Sequence, residues 1–234
     1  MPQIITFLGK GGSGRTTMSI ATAQQLATDG QRVLWVGQSA YYAPSLWSGA
    51  VLSSQPQSIA ANLSVVNLSP TQLLERAWDV IKQAETKYLR TPLLKNVYGQ
   101  ELSVVPGIDG AVALYSLQEY FVSGKYDVII YDNPSSLDAL RAFAMPDTLS
   151  WYIRRFRQVI ETSDLWRNAM PILQPVAATV LSMAWTGENL NMPAVQEATE
   201  LLDRGQKALA DPTQVAAYLV VSEDPNEIDR KSVV

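Results

Sequence analysis

Short apolar runs alternate along the chain with longer segments, in which apolar residues recur at the spacing of a helix. The apolar runs predict strands at residues 4–8, 32–37, 63–68, 102–105, 126–132 and 215–221. The helical spacing predicts helices at residues 16–29, 69–89 and 109–121, and over most of 138–210. Strands that are apolar almost throughout are typical of a parallel sheet covered on both faces. The order of elements therefore predicts an α/β fold: a doubly wound, mainly parallel sheet with helices on both faces and a helical insertion.

Four segments add to this first picture. Residues 38–62 are rich in Ser, Pro, Ala and Tyr and are expected to form a loop. Residues 138–210 form a helical region within a predicted single domain, residues 1–234, because no repeat or linker divides the chain. Residues 170–185 suit either a core helix or one wall of a groove for apolar client segments. The basic and aromatic residues 151–157 suit a solvated helix face, or contact with a partner or with nucleotide phosphates of a neighbouring subunit.

The composition narrows the possible chemistry. The 234 residues contain no histidine and no cysteine, which excludes Ser-His-Asp catalysis, histidine general bases, disulfides and Cys- or His-ligated zinc among them. A net charge of −4 argues against a dedicated nucleic-acid binder. No apolar run approaches the roughly 18 residues of a membrane span, and no signal sequence is recognised. We therefore expect a protein of the cytoplasm, or of the chloroplast stroma, that does not insert directly into membranes.

A glycine-rich loop directly follows the first predicted strand. Residues 9–17 read Gly-Lys-Gly-Gly-Ser-Gly-Arg-Thr-Thr, and a predicted helix begins near Arg15. Glycines let the backbone wrap closely and point successive N–H groups at phosphate oxygens, and the positive end of the helix adds to the attraction. The spacing fits the phosphate-loop pattern G-x-x-x-x-G-K-[ST] with arginine in place of lysine. It indicates the P-loop NTPase class of α/β fold.

The residue types in this loop predict their tasks. Thr16 stands where a hydroxyl ligates Mg²⁺, and Lys10 is a cation that an ordinary phosphate loop lacks. Lys10 and Arg15 are the predicted catalytic residues, since both can neutralise charge that develops in phosphoryl transfer. The predicted nucleotide-binding residues are Gly9, Lys10, Gly11, Gly12, Ser13, Gly14, Arg15, Thr16 and Thr17. Two alternatives stay open: a chance glycine-rich turn, or a loop that has lost catalysis because arginine is bulkier and less mobile than lysine.

An aspartate ends the clearest of the later strands. Residues 126–132 read Tyr-Asp-Val-Ile-Ile-Tyr-Asp, so that Asp132 lies at the C-terminal end of a buried strand. An acid at this place in a P-loop fold holds Mg²⁺ through a water. The predicted metal residues are therefore Thr16 and Asp132, and the predicted cofactors are ATP and Mg²⁺, without zinc. The alternative is an aspartate that only caps the following turn.

These residues resemble the anion-transporting ATPase family, which includes the arsenite-pump ATPase and the targeting factor for tail-anchored membrane proteins. Residues 9–17, with lysine directly after the first glycine, look like the deviant Walker A loop of that family. Residues 131–141 resemble its second switch, and residues 106–109 resemble its Pro-Gly-Ile-Asp segment. Residues 145–156 are similar to the branch found in photosynthetic bacteria and chloroplasts. The likeness covers the chain except for its last few residues.

The resemblance implies a nucleotide-gated homodimer whose clients offer apolar segments. Lys10 would reach across the interface to the partner's triphosphate, and two subunits would close on ATP and reopen after hydrolysis. Family members continue past the point where this sequence stops, with a further strand whose asparagine reads adenine. The resemblance therefore implies a chain that is truncated at its C-terminal end.

The sequence departs from the family where hydrolysis is controlled. Arg15 replaces the loop lysine, and Ser39 stands where the first switch offers an aspartate that orients the attacking water. No Cys-x-x-Cys is present for the zinc that joins some family dimers, and activation by arsenite through thiolates is not expected. We therefore expect weak hydrolysis. The alternatives are a non-catalytic client-binding scaffold with a structural nucleotide, and a sister ATPase that positions cell-division or plasmid machinery, against which the pI of about 4.9 argues.

Overall fold

The computed structural model describes residues 2–38, 49, 52–88, 108–133, 136–162 and 193–221. The elements within these ranges are β1 (Gln3–Leu8), α1 (Arg15–Thr28), β2 (Val33–Gly37), β3 (Gln57–Ala60), β4 (Leu63–Asn67), α2 (Pro70–Tyr88), α3 (Ile108–Val122), β5 (Val128–Asp132), α4 (Ser136–Thr162), α5 (Pro193–Ala210) and β6 (Val215–Leu219). The predicted strand at residues 102–105 and the apolar segment 170–185 lie outside the described residues.

Six strands form one sheet in the order β3-β4-β2-β5-β1-β6. Neighbouring strands pair in parallel, except that β3 runs antiparallel to β4. The predicted α/β fold with a mainly parallel sheet is therefore confirmed. β5 lies between β1 and β2, with Ile5 opposite Ile130 and Gly37 opposite Asp132. The carboxyl ends of β1, β5 and β2 consequently meet at one edge of the sheet.

The central strands are buried on both faces. Every residue of β2 and β5 is buried, as parallel strands between two layers must be. On one face, Ala23 and Ala27 of α1 pack into a cluster with alternate residues of β1, β2, β4 and β5. The residues that point the other way, such as Ile129 and Tyr131, are buried as well. α3 contacts β5, so that the sheet has a helix partner besides α1.

The chain divides into two compact units. The first contains Met1–Leu73, Gly107–Phe143 and Ala208–Val234, and thus the sheet with α1 and α3. The second contains Leu74–Pro106 and Ala144–Lys207, where α5 contacts α4. There, Gln206 donates hydrogen bonds to the carbonyl of Pro146 and to Ser150 Oγ at 3.3 and 3.2 Å. The single domain that the sequence predicts stays a prediction.

The predicted loop over residues 38–62 is wrong at its end, because Gln57–Ala60 forms β3. This strand is short and half polar, so that its side chains carry little apolar signal. It pairs with β4 across a tight turn, and its Ile59 packs against the core cluster. Asn62 takes a φ of 60° in that turn, which asparagine tolerates better than most residues.

Among the described helices, none is both long and apolar enough to cross a membrane.

Candidate nucleotide-binding site

Glycines shape the loop between β1 and α1. Gly12 and Gly14 have φ values of 83° and 88°, which residues with a Cβ rarely adopt. The N–H of Ser13 donates to the carbonyl of Lys10 at 3.1 Å and closes the turn between them. Gly14 precedes the first helical residue without a side-chain cap, and no acidic residue lies in the first turn of α1. The positive end of α1 is therefore not neutralised from within its own first turn, and it suits an anion.

The second residue of α1, Thr16, contacts the end of β5. Thr16 Oγ1 donates a hydrogen bond of 2.8 Å to Asp132 Oδ2. Asp132 is only 5% exposed. Burial raises the pKa of its carboxyl group, and this effect outweighs the hydrogen bond from Thr16 and the charge of Arg15, which both lower it. A buried carboxylate of this kind is stabilised when a cation binds beside it.

The donor set of this pair fits Mg²⁺. A hydroxyl and a carboxylate are the oxygen ligands that Mg²⁺ prefers, and Mg²⁺ takes one or two such groups together with substrate phosphates and water. The described residues contain no group of three or more Asp, Glu, His or Cys side chains that would form an all-protein metal cage. A pair of one hydroxyl and one carboxylate suits a metal that is also held by a phosphate ligand.

Arg15 contacts the residue that follows β5. Its Nη1 lies 3.4 Å from both the carbonyl oxygen and Oδ1 of Asn133. Asn133 in turn donates from Nδ2 to Thr6 Oγ1 at 3.0 Å, and Thr6 donates to the carbonyl of Tyr131 at 2.9 Å. Because Thr6 and Asn133 are buried, this chain of hydrogen bonds links the guanidinium to the interior of the sheet.

The exit of β2 is joined to β5 in the same way. The hydroxyl of Tyr131 donates to Gln38 Oε1 at 2.6 Å, and the N–H of Gln38 donates to the carbonyl of Asp132 at 3.3 Å. Burial raises the pKa of Tyr131, so that its hydroxyl stays protonated and remains a donor near neutral pH. Gln38 thus lies beside the candidate metal pair, whereas Ser39 lies outside the described residues.

The structure brings three of the residues that the sequence predicts for this site together. Arg15, Thr16 and Asp132 meet at the edge of the sheet, and Lys10 lies at the exposed side of the loop. Sequence reasoning missed the contacts of Asn133 and Ser136, although both belong to the segment that resembles the second switch. The sequence pattern around Thr6 did not predict its hydrogen bonds with Asn133 and Tyr131, because Thr6 is a single small polar residue inside an apolar strand.

The mainly parallel sheet, the glycine-rich loop after β1 and the aspartate at the end of β5 define a P-loop NTPase fold. The chain belongs to the anion-transporting ATPase family, whose family model matches residues 2–230. The family that the sequence resembles is therefore confirmed.

Curated relatives agree with this assignment. A protein of Chlorobaculum tepidum, provisionally named an arsenical pump-driving ATPase, is 29% identical over 157 residues, which are 67% of this chain and 39% of that protein. Protein Rv2184c of Mycobacterium tuberculosis is 30% identical over 76% of this chain and 47% of its own length. ATPase ASNA1 homolog 1 of Paramecium tetraurelia is 28% identical over 64% of this chain and 46% of its own length. The chain thus spans less than half the length of these relatives.

Proposed function

We propose that this chain binds ATP with Mg²⁺ and hydrolyses it slowly, as one subunit of a nucleotide-gated homodimer. The observation that carries the proposal is the hydrogen bond of 2.8 Å between Thr16 Oγ1 and Asp132 Oδ2. It joins a hydroxyl at the end of a glycine-rich loop to a buried carboxylate, which is the pair that a Mg²⁺–nucleotide site needs. Membership of the anion-transporting ATPase family supports the same reading.

The loop would hold the phosphates. Backbone N–H groups of residues 9–17 and the side chains of Lys10, Arg15 and Thr17 are donors of the right kind. Ser13 Oγ is buried and has no hydrogen-bond partner within the described part of the chain. A buried hydroxyl of this kind costs free energy until it gains a partner, and a phosphate oxygen or a water would supply one.

Thr16 and Asp132 would hold the metal, with Asp132 acting through a water. Mg²⁺ held there would neutralise negative charge on the phosphates. Asp132 orients the Thr16 hydroxyl by accepting its hydrogen bond, so that the lone pairs of Oγ1 remain for a cation. Lys10 and Arg15 would neutralise the charge that develops in phosphoryl transfer.

Two residues, Arg15 and Ser39, support the proposal that hydrolysis is slow. Nη1 of Arg15 contacts Asn133, and this contact competes with a phosphate for the guanidinium. Ser39 replaces the aspartate that orients water in the family, and the nearby Gln38 is engaged with Tyr131. Loss of a water-orienting group lowers the rate by orders of magnitude while binding survives. The same observations favour the second candidate function, a client-binding scaffold in which nucleotide is structural.

The homodimer and the clients are proposed from the family. Lys10 lies at the exposed side of the loop, from which a side chain can reach a second subunit. Relatives are named as arsenical pump-driving ATPase and as ASNA1 homologs. Because the 234 residues contain no cysteine to bind arsenite, we propose apolar segments of tail-anchored proteins as clients, reached in the cytosol or the stroma.

The proposal is tested by calorimetry with a non-hydrolysable ATP analogue, with Mg²⁺ and with a chelator, followed by ATP turnover on the same sample. Mg²⁺-dependent binding with slow turnover is expected, and it should be lost in Arg15→Ala but kept in the surface control Arg204→Ala. Binding without any turnover would favour the scaffold. No binding, or binding that is the same with the chelator, would contradict the proposal.

A further inference from the structure

One side chain on α4 engages both polar backbone groups at the start of the phosphate loop. Ser136 Oγ accepts a hydrogen bond from the N–H of Gly9 at 2.7 Å. The same hydroxyl donates to the carbonyl of Gly9 at 2.6 Å. The two residues are 127 positions apart in the sequence. Both hydrogen bonds are short and partly buried, so that water competes with them only weakly.

Gly9 is also enclosed on its other side. The N–H of Val220, just after β6, donates to the carbonyl of Leu8 at 2.7 Å. A Cβ on Gly9 would stand 2.4 Å from the carbonyl oxygen of Val220 and 2.6 Å from Ser13 Oγ, so that no other residue fits here. The first residue of the loop is thus held between the end of β6 and the start of α4, and the hydroxyl of Ser136 bonds to its backbone directly.

Ser136 and Asp132 contact the loop at two different places. At the far end of the loop, Asp132 accepts the hydrogen bond from Thr16. At the near end, Ser136 bonds to Gly9. The loop is therefore attached at two points, to the end of β5 and to the start of α4. Between these points, the N–H of Ser13 donates to the carbonyl of Lys10, the residue next to Gly9, and closes the turn of the loop.

We propose that Ser136 is a positioning residue, which fixes the Gly9 peptide and thereby sets the loop N–H groups in the arrangement that receives phosphate. This inference deepens the proposed nucleotide site and rests on it. Ser136 acts through Gly9 and does not itself hold the ligand. The hydroxyl is the group that matters, so that threonine can replace serine and alanine cannot.

The experiment compares Ser136→Ala with Ser136→Thr, and uses Ser123→Ala as the matched control. Ser123 donates to the carbonyl of Tyr120 at the exposed end of α3, remote in sequence from the loop. Affinity for a non-hydrolysable ATP analogue with Mg²⁺ is measured by calorimetry well below the thermal midpoint of each variant. Two lost hydrogen bonds are expected to weaken binding roughly tenfold in Ser136→Ala. Ser136→Thr and Ser123→Ala should stay within about twofold of the parent chain.

A second readout needs no nucleotide. Amide hydrogen exchange at Gly9 reports the bond from its N–H to Ser136 Oγ directly. Gly9 should be protected in the parent chain and in Ser136→Thr, and its exchange should accelerate in Ser136→Ala while the amides of β5 keep their rates. If the parent chain binds no nucleotide but this pattern is seen, the proposed function fails and the Gly9–Ser136 attachment stands. Rapid Gly9 exchange in the parent chain, or equal nucleotide affinity in Ser136→Ala and the parent, would overturn the positioning role.

Discussion

Replacing Thr16 by valine removes the hydroxyl that joins the loop to β5 while keeping the shape of the side chain. Thr16 Oγ1 donates to Asp132 Oδ2 at 2.8 Å, and Asp132 is 5% exposed. The valine leaves the buried carboxylate without this donor. We therefore expect Thr16→Val to lower both the free energy of unfolding and the affinity for Mg²⁺–nucleotide.

The magnitude follows from the charge of the acceptor. A hydrogen bond to an ionised group contributes about 1.5–3 kcal/mol, whereas a neutral pair contributes about 0.5–1.5 kcal/mol. The hydrogen bond from Thr16 lowers the pKa of Asp132, so that Thr16→Val raises this pKa further above its ordinary value. Once acid has protonated Asp132, the lost bond is one between neutral groups. The free-energy cost of Thr16→Val should accordingly shrink as the pH falls through the pKa of Asp132.

The assay is urea unfolding of the metal-free protein near neutral pH and near pH 4, with Thr28→Val as the matched control. Thr28 belongs to the same helix, is exposed, and donates only to the carbonyl of Gln24 among the bonds seen for its hydroxyl. Thr28→Val should change the free energy of unfolding by less than about 0.5 kcal/mol. In calorimetry with the ATP analogue, Mg²⁺-dependent binding should be roughly tenfold weaker for Thr16→Val and unchanged for Thr28→Val. If the two valine variants were equal in stability and in binding, the role of the Thr16–Asp132 pair would be refuted.

Three further predictions concern single charges at the site. Asp132→Asn should raise the stability of the metal-free protein near neutral pH. The raised pKa of Asp132 means that folding disfavours the charged carboxylate, which asparagine removes. This gain in stability should vanish as the pH falls below 3.8, the pKa of the aspartate in the unfolded chain. Mg²⁺-dependent nucleotide binding should be lost at the same time, whereas the exposed control Asp138→Asn should change neither property, and a destabilised Asp132→Asn would contradict this reasoning. Lys10→Ala should leave the circular dichroism spectrum and the unfolding midpoint unchanged but impair nucleotide-dependent dimerisation in analytical ultracentrifugation; dimerisation equal to that of the control Lys125→Ala would exclude a role across the interface. Ser39→Asp should raise the single-turnover rate of ATP hydrolysis if the missing carboxylate is the main defect, and an unchanged rate would place the defect elsewhere, with Arg15 as the next residue to test.

The sequence alone determined the local features of this protein. An apolar run followed by residues 9–17 and a helical segment predicted β1, the phosphate loop and α1, because hydrophobicity and glycine content can be read from a short window of chain. The same reasoning found β5 and the aspartate at its end. Local hydrophobicity did not predict β3, because this strand has few apolar side chains and pairs with β4.

Only the tertiary structure decided which polar groups meet. β5 lies between β1 and β2, and this strand order brings Asp132 to Thr16 and Asn133 to Arg15. The attachment of Ser136 to Gly9 has the same origin, since 127 positions separate two groups that stand 2.7 Å apart. No local pattern encodes such a distance. It is set by the register of the parallel strands and by the helices that connect them, which together bring the ends of several strands to one place. Because these polar groups are largely buried there, each is stabilised by a hydrogen bond with another.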